Sequence, residues 1–478
     1  MTIMTQRIAT LGDLRGRHAL VLGLARSGTA VARLLADAGA EVSAYDRRPP
    51  QELVEAVQTL GGRPVRLALG VPPDEARALL AAADLLVTSP SISPYLPTTD
   101  AWLRTAINEA VDRGVELVSE VELFLRLTQA HVLGVTGTKG KTTTTALIGA
   151  ILEAAGMPHL VGGNIGRPLI EEVERLGPDD WAVLELSELQ LPTITLGAEI
   201  AVYTNIGADH LDRHGTEEAY QAVKARLAEL SVVHGRVVLN ADDPGCRALA
   251  ARLPAASITW YALEAADPWI AARLEEGWLT VRGERVLAAA EMPIPGRHSV
   301  ADALAAALGA SLAGASNEAV AAGIRGFGGV PHRLERVATR QGVGWVNDSQ
   351  ATIPMAAIAA IDAYAPAKVV LLAGGKDKGL DYAALADAIA SRCRAAVLIG
   401  ETADRLEQLI ARRVPVVRAG SMAEAVAASA VWAQPGDVVV LAPAAASFDM
   451  FDDYAARGDA FRDAVRALDR PEAEEPAP

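Results

Sequence analysis

Residues 131–154 constrain this chain more than any other stretch. The apolar run HVLGVT, the glycine-rich turn GTKG and the helix-forming KTTTTALIGAILEA follow one another without a break. A strand that feeds through such a loop into a helix builds an anion cradle, because the first turn of a helix carries backbone N–H groups with no intrahelical partner. Gly137 and Gly140 allow close approach of the backbone to phosphate, Lys141 is expected to reach the β- and γ-phosphates, and the Thr142 hydroxyl to ligate Mg²⁺. The spacing departs from GxxxxGK[ST], since five residues separate Gly134 from Gly140. The strand–loop–helix context still makes a plain Gly-rich turn with an exposed lysine the minority reading.

The remainder of the chain repeats the same alternation, an α/β signature. In residues 18–46, HALVLG reads as a strand, 27–38 as a helix ended by Gly39, and EVSAYD as the next strand. A second series begins at HVLGVTG, and a third at VGWVND, followed by KVVLLAGG, AAVLIG and DVVVLAP. This predicts three parallel-sheet domains, at 1–125, 126–329 and 330–470, with RGFGGVPHRLERV as the second hinge and the acidic, Pro-rich 471–478 as a disordered tail. A length of 478 residues fits about three domains of ~100–200 residues each. The formal charge of −15, with no basic block, argues against nucleic-acid binding but not against small anions held locally. No apolar run approaches the ~20 residues of a membrane span, and residues 1–17 lack the pattern of a secretory signal. A cytoplasmic protein without a membrane partner is expected. Cys246 and Cys393 lie far apart and suggest neither a zinc site nor a disulfide framework.

Two later strand ends belong beside the phosphate loop. WAVLELS ends on Glu185 and Ser187, and AVYTNIGADH on Asp209 and His210. The carboxyl ends of parallel strands share one crevice, so these side chains are expected to face the phosphates and hold metal. In isolation Glu185 would read as a capping or solvated acid and His210 as a satisfied loop histidine. Their position downstream of a phosphate loop reverses that. The N-terminal GLARSG, with Asp46 about twenty residues on, is a weak dinucleotide fingerprint: Ala25 replaces the middle glycine, and a nicotinamide dehydrogenase would leave the second phosphate loop unexplained.

The succession TGTKGKTTT, GGNIGRPL, ELSELQL, NIGADHLDRH, NADDP, PHRLE, NDSQAT, GGKDKGLDY and LAPAAASFDMFDDYAARGDAF resembles the Mur ligase family in order and spacing, over nearly the whole chain. Within that family the N-terminal block, the SEVELF segment and the ending ASFDMFDDYAARGDAF look most like the members that add D-glutamate to UDP-N-acetylmuramoyl-L-alanine. The resemblance implies a Rossmann-like UDP-binding domain, a central P-loop-type ATPase domain and a C-terminal Rossmann-like domain that brings the amino acid. It further implies a monomer that uses ATP and two Mg²⁺ ions and passes through an acyl phosphate. It assigns ATP to Gly137, Thr138, Lys139, Gly140, Lys141, Thr142 and Thr143 together with Arg333 and Asp348. It assigns metal to Thr142, Glu185, His210 and a carbamylated Lys224, and catalysis to Lys141, Glu185, His210 and Lys224. Ser27, Asp46, Arg47, Arg48, Asn164 and Ser187 fall to the UDP-substrate, and Thr352, Lys378, Ser447 and Tyr454 to D-glutamate. Without the family spacing, Lys224 in AYQAVKARLAEL would read as a solvated helix lysine.

The chain also departs from the family pattern. Gln350 replaces a lysine in NDSQ, Lys139 stands where asparagine is usual, Ser299 and Asp302 replace asparagines expected at adenine, and Glu188-Leu189 replaces Ser-Phe. These changes bear on adenine contacts, ATP affinity and rate, and Lys139 is expected to offset the cation lost at Gln350. Other readings are a ligase of the same architecture with another amino acid, or one acting on folate, which the N-terminal domain disfavours. A non-ligating ATP-binding amidotransferase partner is a further class. Such relatives often add cysteine-rich insertions and lose the third domain's amino-acid contacts, and this chain has neither feature.

Overall fold

A computed structural model describes residues 8–468 except 96, 166–167, 208–213, 215, 266, 295, 378 and 411. Three sheets organise it. The first is wholly parallel and consists of β1 (His18–Leu22), β2 (Glu41–Asp46), β3 (Val65–Leu69), β4 (Leu85–Thr88) and β5 (Glu116–Ser119), in the order β3-β2-β1-β4-β5. The central strands β1 and β4 are near-continuous apolar runs because both of their faces are covered. Leu20, Leu22 and Leu86 pack under helices Pro73–Ala82 and Ala101–Asp112, while Ala19, Val21, Leu85 and Val87 join a core shared with the second sheet. The chain runs outward from β1 to β3 and then crosses to the other side of β1 at β4. The loops after β1 and β4 therefore diverge and leave a crevice at the strands' carboxyl ends.

The second sheet contains β6 (His131–Thr136), β7 (His159–Gly163), β8 (Trp181–Glu185), β9 (Ile200–Tyr203), β10 (Arg236–Asn240), β11 (Ile258–Ala262), β12 (Ile270–Glu275), β13 (Trp278–Val281) and β14 (Glu284–Ala288). Its order is β14-β13-β12-β11-β10-β9-β6-β8-β7. The third contains β15 (Glu335–Arg340), β16 (Val343–Asn347), β17 (Val369–Gly374), β18 (Cys393–Ile399), β19 (Val416–Arg418) and β20 (Val438–Leu441), in the order β15-β16-β20-β17-β18-β19.

Neither of these two sheets is purely parallel, which corrects the sequence expectation. β12-β13-β14 and β15-β16 are antiparallel hairpins. Each turns through two residues that both have positive φ: Glu276-Gly277 (50° and 80°), Arg282-Gly283 (52° and 86°) and Gln341-Gly342 (50° and 78°). That backbone matches the right-handed twist of the paired strands, and the glycine makes the second position cheap.

Helix Lys141–Ala154 is anchored by Leu147, Ile148, Ile151 and Leu152, all buried, each contributing about 1.5–3 kcal/mol relative to exposure. It packs on helices Arg297–Ala313 and Asn317–Gly326, and a Cβ at Gly323 would come within 2.6 Å of Ile151 Cα. This close packing fixes where the helix, and hence the loop before it, begins. The first two sheets belong to one compact unit, Met1–Met292 with Arg297–Phe327, and the third to a second unit, Gly328 onward with Pro293–Gly296. Among the described residues no helix is long and apolar enough to cross a membrane.

Candidate active site

β6 lies between β8 and β9, so the loop from Gly137 to Gly140 is flanked by the carboxyl ends of both neighbours. Its two glycines are required by contact as well as conformation. Gly137 (φ +148°) lies so close to β9 that a Cβ would stand 2.0 Å from Thr204 Oγ1, and at Gly140 (φ +84°) a Cβ would stand 2.3 Å from Asp302 Oδ1. The Asn205 amide clasps the Lys139 peptide from both sides: its Oδ1 accepts the Lys139 N–H (3.0 Å) and its Nδ2 donates to the Lys139 carbonyl (3.0 Å). Thr204 Oγ1 donates to the same carbonyl (2.5 Å). The Lys141 ammonium folds over the loop and donates to the carbonyls of Gly137 (3.0 Å) and Thr138 (2.9 Å). A cation and the positive end of a helix therefore meet at one point, which suits a polyphosphate.

A fixed, partly buried set surrounds this loop. Glu185 ends β8 and is 1% exposed. Its Oε1 accepts from Asn164 Nδ2 (2.8 Å), its main-chain carbonyl accepts the Asn164 N–H (2.9 Å), and its buried Oε2 has no hydrogen-bond partner among the described residues. A buried carboxylate oxygen without a donor is costly unless it meets a cation, so the position fits a metal ion. Thr142 is buried in the first turn of its helix, and Thr143 beside it is half-buried. Helix Glu217–Ser231 is capped by Thr216 Oγ1, which accepts the Ala219 N–H (3.2 Å), and this helix carries Lys224 inward. Lys224 is fully buried, unlike the solvated lysine that its helix alone suggests. Its Nζ donates to Thr136 Oγ1 (3.3 Å) and sits 5.5 Å from the centre of the Tyr220 ring, whose hydroxyl is 3.2 Å from Thr138 Oγ1. Among the described residues no three His, Cys, Asp or Glu side chains gather at a metal site. His210 lies outside the described residues, and so does Asp209.

The crevice of the first sheet opens into a cavity of ≈ 510 Å³ whose lining includes Gly23, Asp46, Arg47, Arg48, Ser89 and, from the second sheet's side, Leu189. Asp46 accepts the Leu24 N–H (2.9 Å) and the Arg48 N–H (3.0 Å), and it takes Arg48 Nε and Nη2 in a fork (3.0 and 2.8 Å). Burial opposes its charge, but the Arg48 side-chain and main-chain bonds, with that from Leu24, outweigh it and hold the carboxyl below the usual range. Ser27 lies in the first turn of helix Arg26–Asp37, outside the cavity lining. Asn164 and Ser187 stand at the end of the second sheet instead. There Asn164 holds Glu185, and the Ser187 N–H and hydroxyl both donate to Gln190 Oε1 (2.9 Å each).

In the second unit, loops after β16 and β20 are stapled by Arg457, which is 1% exposed. Its guanidinium donates to Ser349 Oγ (3.0 Å), the Ser349 carbonyl (2.9 Å) and the carbonyls of Ala445 (3.2 Å) and Ala446 (3.0 Å). Ser349 Oγ donates to the Tyr454 carbonyl (2.7 Å). Asp348, Gln350 and Thr352 on one loop are thereby held near Ser447 and Tyr454 on the other. Burial pushes the Asp348 carboxyl up to about 6, against the pull of the Leu334 N–H and of Arg333. Lys378 lies outside the described residues. Sequence reasoning gave no role to Asn205, Gln190 or Arg457, though each lies in a segment that carries the family resemblance.

The glycine geometry makes a sharp prediction. Gly140→Ala imposes a left-handed residue costing about 1–2 kcal/mol and a clash with Asp302, and is expected to raise the KM for ATP about tenfold or more. Gly156→Ala, where φ is +65° and nothing lies within 4 Å, carries the backbone cost alone. Its KM for ATP should match the wild type in a phosphate-release assay, and equal shifts in the two variants would count against a phosphate role for the loop.

The family described as Mur ligase middle domain matches residues 135–310, and that described as Mur ligase, glutamate ligase domain matches 332–445. The chain is 43% identical over 458 residues to the UDP-N-acetylmuramoylalanine--D-glutamate ligase of Solibacter usitatus, covering 95% of this chain and 99% of that one. It is 39% identical over 465 residues to the enzyme of the same name from Pelotomaculum thermopropionicum (96% and 99%), and 40% over 460 residues to that of Symbiobacterium thermophilum (94% and 98%). Among solved structures, the UDP-N-acetylmuramate-alanine ligase of Thermotoga maritima shares the fold, with a TM-score of 0.56 at 18% identity over 94% of this chain and 99% of that one.

Proposed function

The chain belongs to the Mur ligase family, and from that premise we propose that it joins D-glutamate to UDP-N-acetylmuramoyl-L-alanine, cleaving ATP to ADP and phosphate, in peptidoglycan precursor synthesis in the cytoplasm. The observation that supports the chemistry best is the loop on which Lys141, two glycines and a helix N-terminus converge, with Glu185 buried at the end of the neighbouring strand.

A carboxylate is a poor electrophile, so the alanyl carboxylate first attacks the γ-phosphorus of ATP, giving an acyl phosphate and ADP. The amine of D-glutamate then attacks the acyl carbon, and phosphate leaves as the tetrahedral species collapses. Both steps concentrate negative charge. Lys141 exchanges its two loop carbonyls for phosphate oxygens, and the N–H groups of the Lys141–Ala154 helix face the same oxygens. Thr142, Glu185 and a carbamylated Lys224, with His210, are the groups that would hold two Mg²⁺ ions. When bound, Mg²⁺ offsets the charge of the polyphosphate. Glu185 is itself oriented by Asn164. Arg48, fixed by Asp46, and Arg47 supply the cationic wall of the first-sheet cavity, where a nucleoside diphosphate fits. Thr352, Lys378, Ser447 and Tyr454 are assigned to D-glutamate, Arg333 and Asp348 to ATP, and the protein works as a monomer.

Purified protein with ATP, Mg²⁺ and UDP-N-acetylmuramoyl-L-alanine should release phosphate only when D-glutamate is added, with L-glutamate used poorly. Equal use of the enantiomers, or a preference for another amino acid in the panel, would transfer the chain to a different branch of the family.

A further inference from the structure

The segment SEVELF contributes two buried acids, Glu120 and Glu122, that the reaction does not use. They open helix Glu120–Leu127, which joins the first sheet to the strand before the phosphate loop, and Ser119 Oγ caps it by accepting the Glu122 N–H (3.2 Å). Each acid reaches out of the helix to a different loop of the second sheet. Glu120 Oε1 accepts the N–H of Ile170 (3.3 Å), in the 3-10 turn Leu169–Glu172 that follows the Asn164 loop. Glu122 accepts the Thr195 N–H at Oε2 (2.7 Å) and the Thr195 hydroxyl at Oε1, at the far end of the loop that begins with Ser187. A second tie reaches the same turn from helix Arg26–Asp37, where Arg33 pairs with Glu171 (2.8 Å).

The two acids differ electrostatically. Glu122 is paired with Arg126 (2.7 Å), which also meets Glu116 (2.5 Å). Glu120 has Glu171 as its charged neighbour, and burial, opposed by the Ile170 N–H and reinforced by Glu171, pushes its carboxyl up to about 7. Glu120 also lines a small cavity with Ser119 and Gln190 that shares Ser89 and Leu189 with the first-sheet cavity.

We infer that Glu120 and Glu122 are positioning residues: from one helix they set the Asn164 and Ser187 loops against the cavity of the first sheet, and so tune affinity for the nucleotide-sugar substrate. This rests on the reading of those loops as substrate loops. Asn164 itself is held to Glu185, while the helix bonds the turn beyond it and the far end of the Ser187 loop, so the helix's side chains seat both loops against the first sheet, where errors of about an ångström are costly.

Calorimetric binding of UDP-N-acetylmuramoyl-L-alanine, measured beside turnover, tests this without depending on catalysis. Glu120→Ala and Glu122→Ala should each weaken binding about tenfold while the KM for ATP stays within about twofold, and Glu120→Gln, which retains an acceptor for Ile170, should restore binding. A second readout follows from the raised carboxyl. A carboxyl whose folded value lies above its unfolded one contributes stability that is full below the unfolded value and is lost as pH rises through the folded one. The Tm advantage of Glu120→Gln over wild type should therefore widen between about pH 5 and about pH 8. Unchanged binding in both alanine variants, or failure of Glu120→Gln to restore it, overturns the inference, and a Tm difference independent of pH does the same for Glu120. If wild type binds the nucleotide sugar yet releases no phosphate, the proposed reaction falls and the positioning role stands.

Discussion

Lys141→Ala should lower kcat/KM for ATP by about 10³-fold or more while leaving the nucleotide-sugar affinity near its wild-type value. The size follows from position. Lys141 Nζ is held against the Gly137 and Thr138 carbonyls, inside the loop that would wrap the β- and γ-phosphates, and the transferring phosphoryl group gains negative character at its oxygens as the bond breaks. A single preorganised donor in such a site contributes about 10²–10³ in kcat, and an ammonium adds its charge to the hydrogen bond. Lys141→Arg tests shape: a planar guanidinium on a longer stem cannot fold over the same turn, so it should recover only a small part of the loss. The cavity proposed for the nucleotide sugar opens at the first sheet, so the dissociation constant of that substrate is the internal control. Parallel loss of both affinities would mean that Lys141 supports the fold of the loop and not the phosphates.

That loop was legible in the sequence because each of its residues acts on its immediate neighbours. Glycine permits positive φ, a helix start exposes N–H groups, and an adjacent lysine supplies charge, so a short run of letters contains the geometry. The alternation of apolar strands with Ala-rich helices was legible for the same reason. The hairpins were not. Their turns are Glu-Gly, Arg-Gly and Gln-Gly, outside the Asn-Gly and Asp-Gly pairs that announce such turns, and Glu276, Arg282 and Gln341 accept positive φ because the flanking strands pair over them.

The clasp of Asn205 on Lys139 escaped notice because its partners are 66 residues apart, so only the pairing of β6 with β9 brings them together. Asp46, Arg47 and Arg48, grouped with Ser27 by resemblance, do line one cavity, whereas Ser27 lies outside its lining. Asn164 and Ser187 were grouped with them by resemblance, yet their described partners are Glu185 and Gln190, and it is the helix bearing Glu120 and Glu122 that ties their loops back toward the cavity. Arg457 looked like one more basic residue in a C-terminal helix. Burial makes it a staple, and only the folded arrangement of β16 beside β20 reveals that its four contacts lie on two loops.

Lys224→Ala is expected to lose activity by about 10²-fold or more and to regain part of it with millimolar acetate or formate. Lys224 shares the inward face of its helix with Tyr220, Leu227, Ala228 and Ser231, and burying an ammonium is costly. Its position, with Nζ on Thr136 Oγ1 at the end of β6, puts it beside the strand that leads into the phosphate loop and one strand from Glu185. An ammonium there would repel a cation held by Glu185. A neutral amine can instead take up CO₂, forming an N–C bond and releasing a proton to solvent, and the resulting carbamate would put an anionic oxygen near the end of β6, one strand from Glu185. Lys224→Arg separates this from a role for positive charge, since a guanidinium keeps the charge and cannot be carbamylated. It should be as inactive as the alanine variant and, with its side chain still filling the site, should not respond to added carboxylate. Removing bicarbonate should lower wild-type activity reversibly, and ¹³C-bicarbonate should give a carbamate resonance that Lys224→Ala lacks. Full activity in Lys224→Arg, with no such resonance in the wild type, would return Lys224 to the role of a buried cation bonded to Thr136.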